Sequence, residues 1–493
     1  MARGDMQEVE LLDGDEDVTG QVETPARPRR AHRWWVTAGV AVVAVSLVGT
    51  QLVIDAREDA AAARLAAVPG AFPPVGDELT IVRTVPDTET VWGGVEIGAA
   101  QTASLVVGPD GSQSFTAVDV RTGATLWSTP LLGPDPERAA SMENSYGGGC
   151  VADTVAGVPA TVAVCLVTDG FVLYDQEGAN ERVPATTSEV VVLGTGDGHV
   201  VSRWDADPAA QVAALDGLAV VGTRDAEGRV EIVAHDVRTG AQRWRYAEPA
   251  EERPVSAADA SQEYWTLMRV GDVVGFSGSG DSLTLLSATG SVVRDDLEAS
   301  DHGWGYGTDP VTGVFAITTY VDTGAQTTTL LAPDGNPDGD LTVRGELVQV
   351  VVDDGSLPDL VLTRFAHLHA FDRGTGTERW EADVEPGYAA MVARGLVYLT
   401  TSTEVVALDG RTGAVAWRTE LPQLGSSSVG TDGRDLLVTT SSDGTEGLMT
   451  GFDLATGEQT RQITYPEGVS DVQLLHGVLV GWSYATDQIT VLE

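Results

Sequence analysis

Twelve residues recur four times in nearly the same words: Thr116–Trp127 (TAVDVRTGATLW), Val233–Trp244 (VAHDVRTGAQRW), His369–Trp380 (HAFDRGTGTERW) and Val406–Trp417 (VALDGRTGAVAW). A fifth copy, Thr450–Arg461 (TGFDLATGEQTR), keeps the turn and loses the tryptophan. A unit this short cannot bury its own apolar face, so successive copies must stack on one another.

Each copy resolves into strand, turn and strand. In the copy at Asp409, the β-prone run Glu404–Leu408 leads into an Asp-x-x-Thr-Gly turn. The carboxylate accepts backbone N–H groups across such a turn, and glycine supplies the positive φ that a side chain would penalise. The residues carrying this logic are Asp119, Gly123 and Trp127; Asp236, Gly240 and Trp244; Asp372, Gly376 and Trp380; Asp409, Gly413 and Trp417; and Asp453 with Gly457. The tryptophan lies four residues past the glycine on the returning strand, where a large flat ring can fill the gap to the next small sheet.

The phrase Ala-x-Asp-x-x-Thr-Gly-x-x-x-Trp resembles the tryptophan-docking repeat of the quinoprotein-type, or PQQ-like, β-propellers. That superfamily includes PQQ-dependent dehydrogenases and the non-catalytic propeller lipoprotein of the outer-membrane β-barrel assembly machinery. The resemblance spans about Leu79–Glu493. It implies an all-β fold of four-stranded blades and leaves the activity open, because one fold hosts many functions.

Repeat spacing gives the blade count. Gly123, Gly240, Gly376, Gly413 and Gly457 lie 117, 136, 37 and 44 residues apart, so the two long gaps should conceal degenerate copies. Candidates are Phe171–Gly178, Leu283–Gly290 and Thr328–Gly335, each a β-prone strand entering a glycine turn. With them the steps approach the roughly 40–50 residues of a blade. The last segments, Asp471–Leu475, Val478–Trp482 and Ile489–Leu492, lack a fourth strand, which Leu79–Val85 would supply. A strict count gives nine blades; the expectation is about eight, with seven and nine open.

Upstream the composition changes. Trp34–Ile54 holds 21 residues without a charge, enough to span a bilayer core. Arg27, Arg29, Arg30 and Arg33 crowd its N-terminal flank, so the positive-inside rule places the N-terminus in the cytoplasm and the propeller outside the cell membrane. A cleavable signal peptide is the competing reading, but its apolar core would be shorter and would lead directly into a cleavage site. Residues 1–33, acidic and then Pro/Arg-rich, read as a disordered cytoplasmic tail. Residues 34–54 read as the membrane helix, and residues 55–78 as a juxtamembrane helix and a Pro/Gly linker. Residues 79–493 form the propeller.

Charge narrows the partners. The chain has 29 Lys+Arg against 73 Asp+Glu, a formal net charge of −44, and every cation is arginine. Lysine-free, Ala/Gly/Val/Arg-rich usage is that of a high-GC genome such as an actinobacterium's. So acidic a surface, with no basic stripe, repels nucleic acid.

Chemistry-bearing motifs are few. Cys150 and Cys165 could face each other across neighbouring strands as a disulfide or remain buried thiols. Adjacent cysteines beside the quinone, which the PQQ enzymes carry, are not what a fifteen-residue separation provides. Asp334, Asn336, Asp338 and Asp340 alternate like the opening of a Ca²⁺ loop, yet the twelfth position is Gly345 where a glutamate would close it; a solvated hairpin is the competing reading. His367 and His369 alternate on one strand and lack a third ligand in sequence. No Cys-x-x-Cys-His haem site, nucleophile elbow or phosphate loop is present.

The expected function is therefore a membrane-anchored extracytoplasmic scaffold binding envelope proteins or ligands, with no catalytic residues and no cofactor. The alternatives are a PQQ/Ca-dependent quinoprotein oxidoreductase and a sensor signalling through the tail. Specificity is expected in Pro130–Gly149, Pro184–Ala214 and Tyr246–Tyr264, the long segments between repeats.

Overall fold

A computed structural model describes residues 50–493 except 52, 55, 86–93, 141–148, 154–158, 175–179, 226–228, 250–264, 278–281, 299–303, 310–311, 321–325, 388, 422–426, 441–446 and 487. The tail and most of the expected membrane span lie outside the described residues. Among the described residues no helix is long and apolar enough to cross a membrane. The chain divides into residues 1–60 and a compact unit, Ala61–Glu493.

That unit is a nine-bladed propeller, with one more blade than the eight expected. Blade 1 opens with Val95–Gly98 and ends with Thr125–Leu132. Blade 2 runs from Gly149–Ala152 to Val200–Asp205, blade 3 from Gln211–Leu215 to Gln242–Ala247, and blade 4 from Leu267–Val270 to Val292–Glu298. Blade 5 runs from Trp304–Thr308 to Leu341–Arg344, blade 6 from Glu346–Leu347 to Glu378–Ala382, and blade 7 from Ala389–Ala393 to Val415–Glu420. Blade 8 runs from Ser427–Thr431 to Gln459–Thr464. Blade 9 takes three strands from the C-terminus and its outermost, Ile81–Val85, from the N-terminal side; Ile81 pairs with Leu492 and Val85 with Ile489. The expected closure of the ring is therefore present. The strict count of nine is the right one; the expectation of eight rests on the usual upper limit of propeller size, not on a missed blade.

Inner strands are buried on both faces because each sheet is sandwiched between two others. In Glu404–Asp409 the four residues Val405, Val406, Ala407 and Leu408 have no exposed surface. Nine apolar clusters result, each drawing side chains from two successive blades around the whole ring. Cohesion is thus a nearest-neighbour property, as stacking repeats require.

Three local expectations are corrected. Phe171–Tyr174 is not a blade strand: it pairs with Asn180–Val183 in a hairpin inserted between the second and third strands of blade 2. Gly178 itself lies outside the described residues. The turn of blade 2 is at Gly198, so Pro184–Ala214 is mostly blade strand and not a loop. Finally, blade 7 gains a fifth strand, Gln349–Asp353, which pairs parallel with Ala389–Ala393.

Residues 61–78, expected to lead up to the propeller, pack on it. Leu65 joins the cluster between blades 7 and 8, and Phe72 and Val75 join that between blades 8 and 9. The Phe72 amide donates to the Thr431 carbonyl (2.7 Å), and the Arg461 guanidinium donates to the Val75 carbonyl (2.5 Å). The sequence gives Phe72, Val75 and Leu79 the spacing of a strap, an apolar residue every three or four positions.

Candidate functional site

The five repeat turns are built alike. The Asp409 Oδ1 accepts from the Thr412 amide (2.9 Å), the Thr412 hydroxyl (2.9 Å) and the Arg411 amide (3.1 Å), while the Gly413 amide donates to the Asp409 carbonyl (2.8 Å). Asp119, Asp236, Asp372 and Asp453 hold their turns the same way. The turn glycines take φ between 66° and 71°.

Each wedge then docks on the turn of the next blade. Built on Gly457, a Cβ would lie 2.4 Å from the Trp417 ring; on Gly413 it would lie 2.7 Å from Trp380, and on Gly290 2.6 Å from Trp244. The indole N–H donates to a carbonyl in the same neighbouring turn: Trp380 to Gly410 (3.0 Å), Trp417 to Leu454 (3.1 Å) and Trp244 to Ala288 (2.8 Å). Trp127 and Trp204 press similarly on Gly198 and Gly240. Gly123 meets Arg83 of blade 9, whose Nε and Nη2 donate to the Val120 carbonyl (3.1 and 2.8 Å). Arginine thus substitutes for indole where the ring closes. These residues hold blades together.

The turn carboxylates make the fold acid-sensitive. Hydrogen bonds from Thr122 and Thr412 hold Asp119 and Asp409 below the ordinary carboxylate range, and the Arg243 and Arg379 guanidinium groups do so for Asp236, to about 2, and for Asp372. Partial burial opposes the effect at Asp453, but the Thr456 bonds outweigh it. A depressed carboxylate contributes stability above its unfolded pKa of about 3.9 that is lost as pH falls through the folded value. All five therefore act in one direction in the window below about pH 4, which for Asp236 extends to about 2. Melting temperature should fall steeply across this window, although protonation elsewhere relieves the repulsion of a −44 chain. Asparagine at all five positions should flatten the acid limb; an unchanged limb would sink the idea.

Cys150 and Cys165 are direct partners on antiparallel strands of blade 2 and form a disulfide. Cys165 is fully buried in the cluster between blades 1 and 2. A quinone needs an open face on a disulfide to lie against, so this pair does not fit that cofactor. The aspartate loop is also occupied otherwise: Asp334 Oδ1 accepts from the Asn336 amide, and Asn336 Oδ1 from the Asp338 amide. Asp340 accepts from the Ala332 amide (2.9 Å) and from the buried Arg294 Nη1 (2.5 Å). These residues cap a hairpin and a 3₁₀ turn, Pro337–Gly339, and their oxygens point to different partners.

An open groove lies elsewhere, at the junction of blades 5 and 6. It encloses about 320 Å³ and is lined by Gln326, Glu346, Arg364, Phe365, Ala366, Glu385 and Pro386. Antiparallel order puts it at the end of the blade away from the Asp372 turn. Arg364 is fixed by two bonds from Nε and Nη2 to Glu346 Oε2 (3.0 and 2.5 Å), and Arg344 covers the Phe365 ring at 4.3 Å. Ala366 makes the tight reversal at φ 59°. The lining thus offers a carboxylate, an amide, a guanidinium and an aromatic ring together, a mixture suited to a peptide surface. Sequence reading missed it because Gln326 comes from blade 5, while Glu346 meets Arg364 only through strand pairing within blade 6.

His367 and His369 share the outer strand pair beside this groove. His367 bonds Glu381 (Nδ1 to Oε1, 2.9 Å), which raises its pKa and lowers that of Glu381. His369 is buried, with Nδ1 3.2 Å from Glu378 Oε1.

Residues 364–474 match the family model of the outer membrane protein assembly factor BamB. Among solved structures the chain is similar to BamB from Moraxella catarrhalis, at 18% identity over 66% of this chain and 94% of that one, with a TM-score of 0.35. It is also similar to a quinohemoprotein alcohol dehydrogenase from Comamonas testosteroni, at 13% identity over 84% and 76%, with a TM-score of 0.34. No curated protein matches the chain. The nine blades define a β-propeller protein, and the stretch 364–474 is similar in sequence to the PQQ-like repeat family. Within that class, its blades 6 to 8 are similar in sequence to the assembly factor, while the solved-structure similarities carry no functional argument.

Proposed function

We propose that this chain is a membrane-anchored, extracytoplasmic propeller that binds envelope proteins and performs no turnover. The observation that carries the reading is where the groove falls. Five of its seven lining residues, Arg364, Phe365, Ala366, Glu385 and Pro386, belong to the stretch that matches the assembly-factor family. The repeat residues support it too, because their polar atoms are consumed in turns and docking, which leaves recognition to unrepeated surface. The anchor rests on the uncharged run Trp34–Ile54 and its arginine flank.

Photo-crosslinking in the native membrane tests this. A crosslinker at Glu385 should capture a discrete envelope protein, whereas one at Thr122, on a repeat turn, should capture none. Equal capture at both positions, or none at Glu385, would overturn the groove as the binding surface. A change in absorbance and melting temperature on adding PQQ with Ca²⁺ would instead favour an oxidoreductase.

A further inference from the structure

We propose that His369, Glu378 and Glu381 form a binding site for a divalent transition-metal ion on the outer edge of blade 6. Among the described residues this is the group of His, Cys, Asp and Glu whose ligand atoms converge, all within 4.8 Å of one another. It is built by the register: Glu381 lies directly opposite His369, and a bulge after the Ala370–Trp380 pair brings Glu378 round to the same imidazole.

The hydrogen bonding of His369 asks for a cation. Its Nε2 faces the Phe365 carbonyl oxygen at 3.3 Å, so that nitrogen carries a proton. In the neutral ring Nδ1 then bears a lone pair, yet it faces a carboxylate oxygen at 3.2 Å. Two acceptors are held together in a site where the histidine is 2% exposed. A metal ion at Nδ1 resolves the conflict, and the Nε2–H to carbonyl bond is the outer contact that metal-bound histidines ordinarily make. The spacing fits as well. With metal–ligand bonds of about 2.0–2.2 Å, the edge of a tetrahedron is roughly 3.4 Å, close to the 3.2 Å between His369 Nδ1 and Glu378 Oε1, while the full set, within 4.8 Å, closes by rotation of the exposed carboxylates.

Access and selectivity follow from burial. Glu378 and Glu381 are 42% and 50% exposed, so an ion enters from solvent between them while the histidine forms the floor. His367 holds Glu381 by a hydrogen bond and so orients it. One imidazole with two carboxylates suits Zn²⁺ or Co²⁺ better than the hard ions Mg²⁺ and Ca²⁺, which take oxygen sets.

The test uses the full chain freed of metal with a chelator and then titrated with Zn²⁺ alone. At a hundredfold excess over the dissociation constant the melting temperature should rise by about 3 °C, and Mg²⁺ at the same concentration should leave it unchanged. Co²⁺ should give the visible absorption of a low-coordinate site. Glu378→Gln and Glu381→Gln alter exposed side chains, so both should fold, and each should weaken Zn²⁺ by tenfold or more. An equal Zn²⁺ shift in the double variant would overturn the site, because binding would then be diffuse on an acidic surface. No shift, together with ¹⁵N signals of a doubly protonated His369, would overturn it in favour of a proton at Nδ1. Neither outcome bears on the crosslinking at Glu385.

Discussion

Trp417→Ala should lower stability by about 3–5 kcal/mol, the range for deleting a large buried aromatic side chain. Trp417 is 8% exposed and packs between Tyr398, whose ring lies 6.0 Å away, and the backbone of Gly457 in the next blade. The cost should come mainly from the cavity. The Leu454 carbonyl that accepts the indole N–H also accepts from the Tyr398 hydroxyl (3.0 Å), so it keeps a partner when the indole is removed. Trp417→Phe, which retains most of the volume and loses the N–H, should therefore cost far less, about 1–1.5 kcal/mol. Trp244→Ala should fall between the two, since that ring is only partly buried. Denaturant unfolding of the three variants decides it: equal losses for Trp417→Ala and Trp417→Phe would assign the wedge's effect to the hydrogen bond and refute the packing account.

These wedges were legible in the sequence because a turn and a docking ring are both local. Asp409, Gly413 and Trp417 lie within nine residues, and each role depends on a neighbour at fixed offset. What failed was the same logic applied without its aromatic partner. Phe171–Tyr174 enters a glycine-containing segment as a repeat does, but it forms a side hairpin. The blade 2 turn has Gly194 where the five repeat copies have aspartate, and Asp197 accepts from the His199 amide instead (3.2 Å). Only Trp204, pressed on Gly240, marks it as a repeat. Blade 9 was legible from its strands, although it has no repeat turn and Arg83 takes the place of its wedge. The groove and the His369 cluster depend on pairing between strands: Glu378 reaches His369 through a bulge that spacing alone does not reveal. Long-range register was the missing information.

Register also governs the prediction for the N-terminal strap. A protein beginning at residue 61 should melt cooperatively, and one beginning at residue 79 should melt on the order of 10 °C lower. The shorter form lacks Leu65, Phe72 and Val75, which are 4%, 5% and 9% exposed. Burying each contributes about 1.5–3 kcal/mol, so the loss approaches the 5–15 kcal/mol that is the whole stability of a typical domain. It also leaves Gly430, on which the Phe72 ring rests, facing water. Starting at residue 86 should be worse in kind. Without Ile81–Val85 the strand Gln488–Leu492 becomes an open edge, and Arg83 no longer docks on the Val120 turn. An unpaired apolar edge recruits other chains, so this form should aggregate where the other two remain monomeric. Size-exclusion chromatography and thermal melts of the three forms settle the matter: identical melts for the forms starting at 61 and 79 would show that the strap packs without stabilising, and a monomeric form starting at 86 would show that the ring does not need its closing strand.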